Sequence, residues 1–269
     1  MKKALLAVAV SALFSANAMA SITFNNGNFE AGTLDGWTIN ASGGDTPIVN
    51  QNGAGLTQVN SASNNPYWNQ PDHVATIVSN GVDARTGTQM TYGGAKAVKV
   101  GDEQYWYGYA YQYHSVKQTA TVDGSDPGFL YFAWSAILEQ SYHSGTDTPY
   151  FRVSIKNERT GLNIYDVAHY EGDSGFWTDR GGWFVNAGNT SLDGWQVEAL
   201  DLGQLGVQVG DSLTLEAIAR DCNPTGHAMY VYLDGFGGVR PDPHNVPVPA
   251  TLALLGLGLG GLAAARRKA

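Results

Sequence analysis

The sequence predicts an all-β domain of the sandwich or barrel kind, set between two apolar chain ends. Three observations lead there. Short runs of alternating apolar and polar residues fill the interior of the 269-residue chain, separated by Gly, Asn, Asp and Ser, which is how many strands joined by turns are written. Long helical stretches are scarce. A single cysteine, Cys222, excludes an internal disulfide, so stability must come from a packed core, a metal or both. The roughly 225 residues between the ends suffice for one large all-β domain.

The elements follow in order. Ile22–Phe29 and Gly36–Ile39 read as opening strands, and 43–71 is rich in Asn, Gly, Ser and Gln and reads as loop. Ala95–Val100 and Ser115–Val122 are strand-like. Phe129–Leu138 is almost continuously apolar, as in a strand buried on both faces. Tyr150–Lys156 alternates, with Phe151, Val153 and Ile155 on one face, and a turn at 158–161 joins it to Asn163–Tyr170 as a hairpin. Trp195–Leu200, Ser212–Arg220 and Met229–Phe236 complete the set, with Leu213, Leu215, Ala217 and Ala219 sharing one face. The proline-containing linker 237–245 leads out of the domain, extended and accessible.

The two ends carry a different message. Lys2 and Lys3, then an apolar run from Ala4 to Ser15, then Ala18-Met19-Ala20 make a secretory signal peptide over 1–20. The run is too short to span a bilayer of about 30 Å. At the other end 250–265 is uncharged and apolar and is followed by Arg266-Arg267-Lys268. As a helix it measures about 24 Å, and the basic cluster acts as a cytoplasmic stop-transfer brake. Five of the 15 Lys and Arg lie in these ends and all 24 Asp and Glu lie between them, leaving 10 basic against 24 acidic residues, a net charge of −14. Such a surface repels nucleic acid and anionic lipid and suits divalent cations with oxygen ligands. There is no Cys/His pattern for zinc in the sequence and no phosphate-binding Gly loop.

Three stretches carry family resemblances. Val246-Pro247-Val248-Pro249, the apolar helix and the basic cluster together resemble the PEP-CTERM sorting signal of Gram-negative bacteria over 246–269, with Val248 where the usual motif has an acidic residue. The resemblance implies export, transient anchoring in the inner membrane, cleavage near the prolines by an exosortase-type enzyme, and a place at the cell surface or in an exopolysaccharide matrix. Asn25-Asn26-Gly27-Asn28-Phe29-Glu30 with Leu34-Asp35-Gly36-Trp37 resembles the opening of galactose-binding-like jelly rolls, the fold of many carbohydrate-binding modules. Ala219-Arg220-Asp221-Cys222, Gly226-His227 and Tyr230-Val231-Tyr232-Leu233-Asp234 resemble the closing strand of the same sandwich. These imply a jelly-roll β-sandwich over 21–236 and a structural calcium shared by Glu30, Asp234 and backbone carbonyls. The alternative gives both carboxylates to turn amides, since calcium takes about six to eight oxygens.

Aromatic residues supply the candidate ligand site. Tyr105, Tyr107, Tyr109, Tyr111 and Tyr113 recur at period two, with Trp106 among them, so on a strand the tyrosines share a face. Flat rings with polar tips suit the C–H faces and hydroxyl rims of sugars, although aromatics also pack across sheets without binding anything. Phe176-Trp177 and Trp183-Phe184 flank a Gly-rich hairpin tip, which adds Trp177 and Trp183 to the candidates. No spacing among Glu139, Glu158, Glu171 and Asp173 selects a glycosidase pair, and no G-x-S-x-G elbow occurs. His227 lies near Cys222, as a nucleophile would need, but within the closing-strand resemblance both are structural. The expectation is an exported, non-catalytic, surface- or matrix-associated protein that binds polysaccharide. A purely structural matrix component and a polysaccharide hydrolase or lyase are the alternatives.

Overall fold

The computed structural model describes residues 22–42, 75–101, 113–124, 128–143, 148–222 and 227–243. The expected signal peptide, the tyrosine-rich segment 105–111 and the sorting tail lie outside the described residues, as do the side chains of Ala41, Ser42 and Tyr113. Every regular element among the described residues is a strand: β1 Thr38–Ser42, β2 Ala75–Ser79, β3 Lys96–Gly101, β4 Tyr113–Thr121, β5 Phe129–Glu139, β6 Tyr150–Asn157, β7 Asn163–Tyr170, β8 Trp177–Asp179, β9 Trp183–Asn186, β10 Gln196–Asp201, β11 Ser212–Arg220 and β12 Met229–Gly237.

Two antiparallel sheets face each other, one in the order β1-β4-β11-β6-β7 and the other β2-β3-β12-β5-β9-β8, with β10 pairing the remaining length of β5's edge beside β9. Within them, β3-β12-β5-β9 opposes β4-β11-β6-β7. The chain crosses between sheets at each of the steps β3 to β4 to β5 to β6, crosses back after β7, and crosses twice more, from β10 to β11 and from β11 to β12. That winding is a jelly roll.

The alternation read in the sequence is realised. Phe151, Val153 and Ile155 of β6 and Leu213, Leu215, Ala217 and Ala219 of β11 meet Leu130, Phe132, Trp134, Ala136 and Leu138 of β5 in the core between the sheets. Each fully buried large apolar side chain there contributes about 1.5–3 kcal/mol. β5 is indeed buried on both faces. Its Ala133 and Ile137 join a second apolar cluster outside the sheet with Tyr92, Trp195, Tyr230 and Tyr232. Trp195, fully buried, donates its Nε1–H to the Gln89 carbonyl at 2.8 Å. In the same layer Asp83 accepts the hydroxyls of Tyr230 and Tyr232, both at 2.8 Å.

One element differs. Ile22–Phe29 is a turn rather than a strand, touching the sheets through single bridges at Ile22 with Val122 and Thr23 with Gly237. Asn26 and Phe29 have φ of 52° and 57°, which no strand tolerates. The Asn-Asn-Gly-Asn sequence supplies residues that accept left-handed turns. Strand β2, an edge strand, had no counterpart in the sequence reading.

Candidate functional site

The turn 24–30 and the far part of β12 build the clearest polar site. Phe29 is completely buried, its ring 5.2 Å from Trp37 and 6.3 Å from Phe236. That burial offsets a left-handed backbone costing about 1–2 kcal/mol. The next residue, Glu30, is thereby turned back toward the start of β3. Its Oε1 accepts the amides of Ala95 and Lys96 at 2.8 and 2.9 Å.

Asp234 comes from β12. The strand's pairing register with β5 breaks between Asp234 and Gly237. The Asp234 side chain is fully buried, and its Oδ2 accepts the amides of Tyr92 and Gly93 at 3.0 and 2.8 Å. Its Oδ1 is buried without a hydrogen-bond partner. Burial pushes the Asp234 carboxyl up to about 8; the amides of Gly93, Tyr92 and Gly235 oppose the rise and the charge of Glu30 adds to it. Glu30 and Asp234 thus lie close enough to feel each other. Both line one cavity of about 410 Å³ between the turn, Gly93-Gly94 and the segment from Gly235 to Asp242.

Two glycines allow this approach. A Cβ on Gly27 would sit 2.3 Å from the Phe236 carbonyl oxygen, and one on Gly94 (φ +81°) would sit 2.3 Å from Glu30 Oε1. The sequence reading paired Glu30 with Asp234 and gave backbone amides as the alternative to calcium; both carboxylates do accept amides, but from the loop residues Tyr92, Gly93, Ala95 and Lys96, which the sequence did not point to. Backbone donors leave no mark on side-chain identity, and the Gly93-Gly94 pair was the one available sign.

Of the aromatic candidates, the structure describes the side chains of Trp177 and Trp183. Tyr105, Trp106, Tyr107, Tyr109 and Tyr111 lie outside the described residues, and Tyr113 enters as the first residue of β4. Trp177 is partly buried against the main core, donating its Nε1–H to the Tyr170 carbonyl at 2.7 Å with Phe176 edge-on at 4.7 Å. Trp183 lies on the other side of its sheet, partly buried, with the Arg85 guanidinium 5.1 Å from its ring and Tyr230 at 6.0 Å. Each has its own neighbours, and the hairpin β8–β9 does not bring the two into one platform.

Residues 245–268 match the PEP-CTERM protein-sorting motif. Such a motif indicates an exported protein sorted by an exosortase in Gram-negative bacteria. No curated protein matches the chain. Among solved structures, the module TmCBM61 in complex with beta-1,4-galactotriose is 10% identical over 78% of this chain and 92% of its own, with a TM-score of 0.39. CBM27-1 of Caldicellulosiruptor saccharolyticus in complex with mannohexaose is 9% identical over 85% of this chain and 100% of its own, TM-score 0.36. A module specific for non-crystalline cellulose, CBM28, is 12% identical over 80% and 92%, TM-score 0.35. The fold assignment rests on the strand order itself.

Proposed function

We propose that this chain is an exosortase-sorted protein of the cell surface or exopolysaccharide matrix, whose jelly-roll domain binds polysaccharide without catalysing a reaction. The observation that carries the reading is the sorting motif at 245–268. It supports transient anchoring in the inner membrane, with release near Pro247 and Pro249 by the processing enzyme. The acidic surface supports a role outside the cell away from nucleic acid and anionic lipid.

The binding mode rests on β4 and the segment that runs into it. Lys117, Thr119 and Thr121 of β4 are exposed, while Val116, Gln118 and Ala120 face inward. The five tyrosines occupy odd positions of the preceding sequence, the parity of the exposed Lys117, Thr119 and Thr121, while Ser115 between them is fully buried. Flat rings with polar tips, repeated at alternate positions, are the sequence feature that supports sugar binding.

Calcium at Glu30 and Asp234 belongs to the same reading. A buried carboxylate oxygen without a donor is costly, and a hard cation is the partner that removes the cost while holding the neighbouring Glu30. The ion would tie the opening turn, the loop before β3 and the last strand together in a domain without disulfides.

The test is a pull-down of the 21–245 fragment on the host's own exopolysaccharide, beside the double variant Tyr107→Ala/Tyr109→Ala. The expected result is binding that falls at least tenfold in the variant with its melting temperature unchanged. No binding by the wild type leaves a purely structural matrix role, and depolymerisation of the glycan would indicate a hydrolase or lyase.

A further inference from the structure

We propose that His143, Cys222 and His227 form a binding site for a borderline-soft divalent transition-metal ion, of which Zn²⁺ is the representative. The three residues come from three chain segments at one end of the sandwich. His143 follows β5, Cys222 lies two residues beyond β11, and His227 lies two residues before β12. Both sheets contribute, and the place is removed from Asp234 along β12.

One ligand atom from each residue lies within 4.8 Å of the others. Cys222 Sγ is 3.0 Å from His227 Nδ1, and the two imidazole rings are 5.4 Å apart at an angle of 69°. A metal about 2.0–2.3 Å from nitrogen and sulfur in tetrahedral geometry sets ligand atoms about 3.4–3.7 Å apart. The longest separation must close by about 1 Å, and a turn of the half-exposed His143 ring supplies it. Cys222 is completely buried and the two histidines are half-buried, so the sulfur forms the floor of the site and the imidazoles its solvent side. Three protein ligands leave the fourth position of a tetrahedron open to water or a small ligand.

The surroundings also fit. Glu139 Oε2 accepts the amide of Ala228, next to His227, at 3.2 Å. Glu171 Oε2 accepts the amide of Ser141 at 2.9 Å and its hydroxyl at a short distance, and the Ser141 hydroxyl oxygen accepts the amide of His143 at 3.2 Å. Both histidine-bearing segments are therefore pinned by carboxylates. These carboxylates fix the backbone that carries the two histidines, and their negative charge near the site favours a cation electrostatically. Imidazole and thiolate select zinc, copper and their neighbours over calcium, so this site and the all-oxygen pair at Glu30 and Asp234 choose different ions. On binding, the thiol S–H bond breaks, a sulfur–metal bond forms and the proton leaves to solvent. In the competing arrangement the Cys222–His227 contact is a hydrogen bond between a buried thiol and an imidazole, with no affinity for metal.

The experiment uses the full, untagged chain in mild detergent with excess calcium present. Zn²⁺ binding is measured by equilibrium dialysis, and Co²⁺ is added as a spectroscopic probe. One tightly held Zn²⁺ per chain is expected, with Co²⁺ giving thiolate-to-metal charge-transfer bands that Zn²⁺ displaces. Cys222→Ser should abolish those bands, and His143→Ala should lower Zn²⁺ affinity at least tenfold. Absence of the charge-transfer bands in the wild type, or Zn²⁺ affinity unchanged in His143→Ala, overturns the proposal. His143→Ala decides the matter alone if Cys222→Ser does not fold.

Discussion

Removing calcium should make the domain's stability fall as pH rises, and Asp234 should be responsible. In the folded protein this carboxyl keeps its proton up to about 8, against an ordinary value of 3.8. The folded state therefore binds one more proton than the unfolded chain between those limits. Stability contributed by the protonated group is full below 3.8, declines through the window and is lost above about 8. The slope is about 1.4 kcal/mol for each pH unit. Across the whole window the loss is about 6 kcal/mol, comparable to the entire stability of many domains. The proposed calcium would reverse the sign because it needs the ionised carboxylate, and at one hundred times its dissociation constant it would return about 2.7 kcal/mol. The assay is urea unfolding of the 21–245 fragment at pH 5, 6, 7 and 8, in chelator and in calcium, for wild type and Asp234→Asn. The variant keeps an oxygen for the Tyr92 and Gly93 amides but cannot ionise. Wild type in chelator should lose stability steadily with pH, while Asp234→Asn should lack that component and show no calcium response. Parallel pH profiles for the two proteins in chelator would show that Asp234 is not the titrating group.

Two further expectations concern neighbouring and distant contacts. Gly94→Ala places a Cβ 2.3 Å from Glu30 Oε1 on a backbone at φ +81°, so it should cost about 1–2 kcal/mol in urea unfolding and blunt the calcium-dependent rise in melting temperature. Asp211 accepts from Arg159 Nε and Nη2 at 2.5 and 3.0 Å, from Asn157 Nδ2 at 2.7 Å and from the Gln208 amide at 2.9 Å. The Arg159 guanidinium holds its carboxyl well below the usual range, so this contribution is full above the ordinary value of 3.8 and fades on acidification below it. Asp211→Ala should cost about 1–2 kcal/mol at pH 7, chiefly by stranding the buried Asn157 amide since Arg159 is half-exposed, and the gap to wild type should narrow toward pH 2.

The strands were legible where a single physical rule governed them. β6, β7, β11 and β12 fall within a residue or two of their expected bounds, because period-two burial against the opposing sheet dictates every second side chain. β5 was readable for the complementary reason that both of its faces are covered. Ile22–Phe29 misled because Ile22, Phe24 and Phe29 are as apolar as strand residues, yet they serve as buried anchors of a left-handed turn. β2 is five residues long, paired on one side and only partly buried, too short to impose a pattern. Glu30 and Asp234 could be paired only through the jelly-roll resemblance, since nothing local connects the ends of a long chain. His143 carried no signal at all; its partners flank other strands, and only the folded sheets bring it to Cys222 and His227.

The central claim, export followed by exosortase-type sorting, is tested most directly by the intact mass of the protein recovered from its native cells. Sorting should yield a species that has lost the signal peptide 1–20 and ends near Pro247 or Pro249, without the stretch 252–269. A full-length, membrane-embedded mature form retaining Leu252 to Ala269 would contradict it.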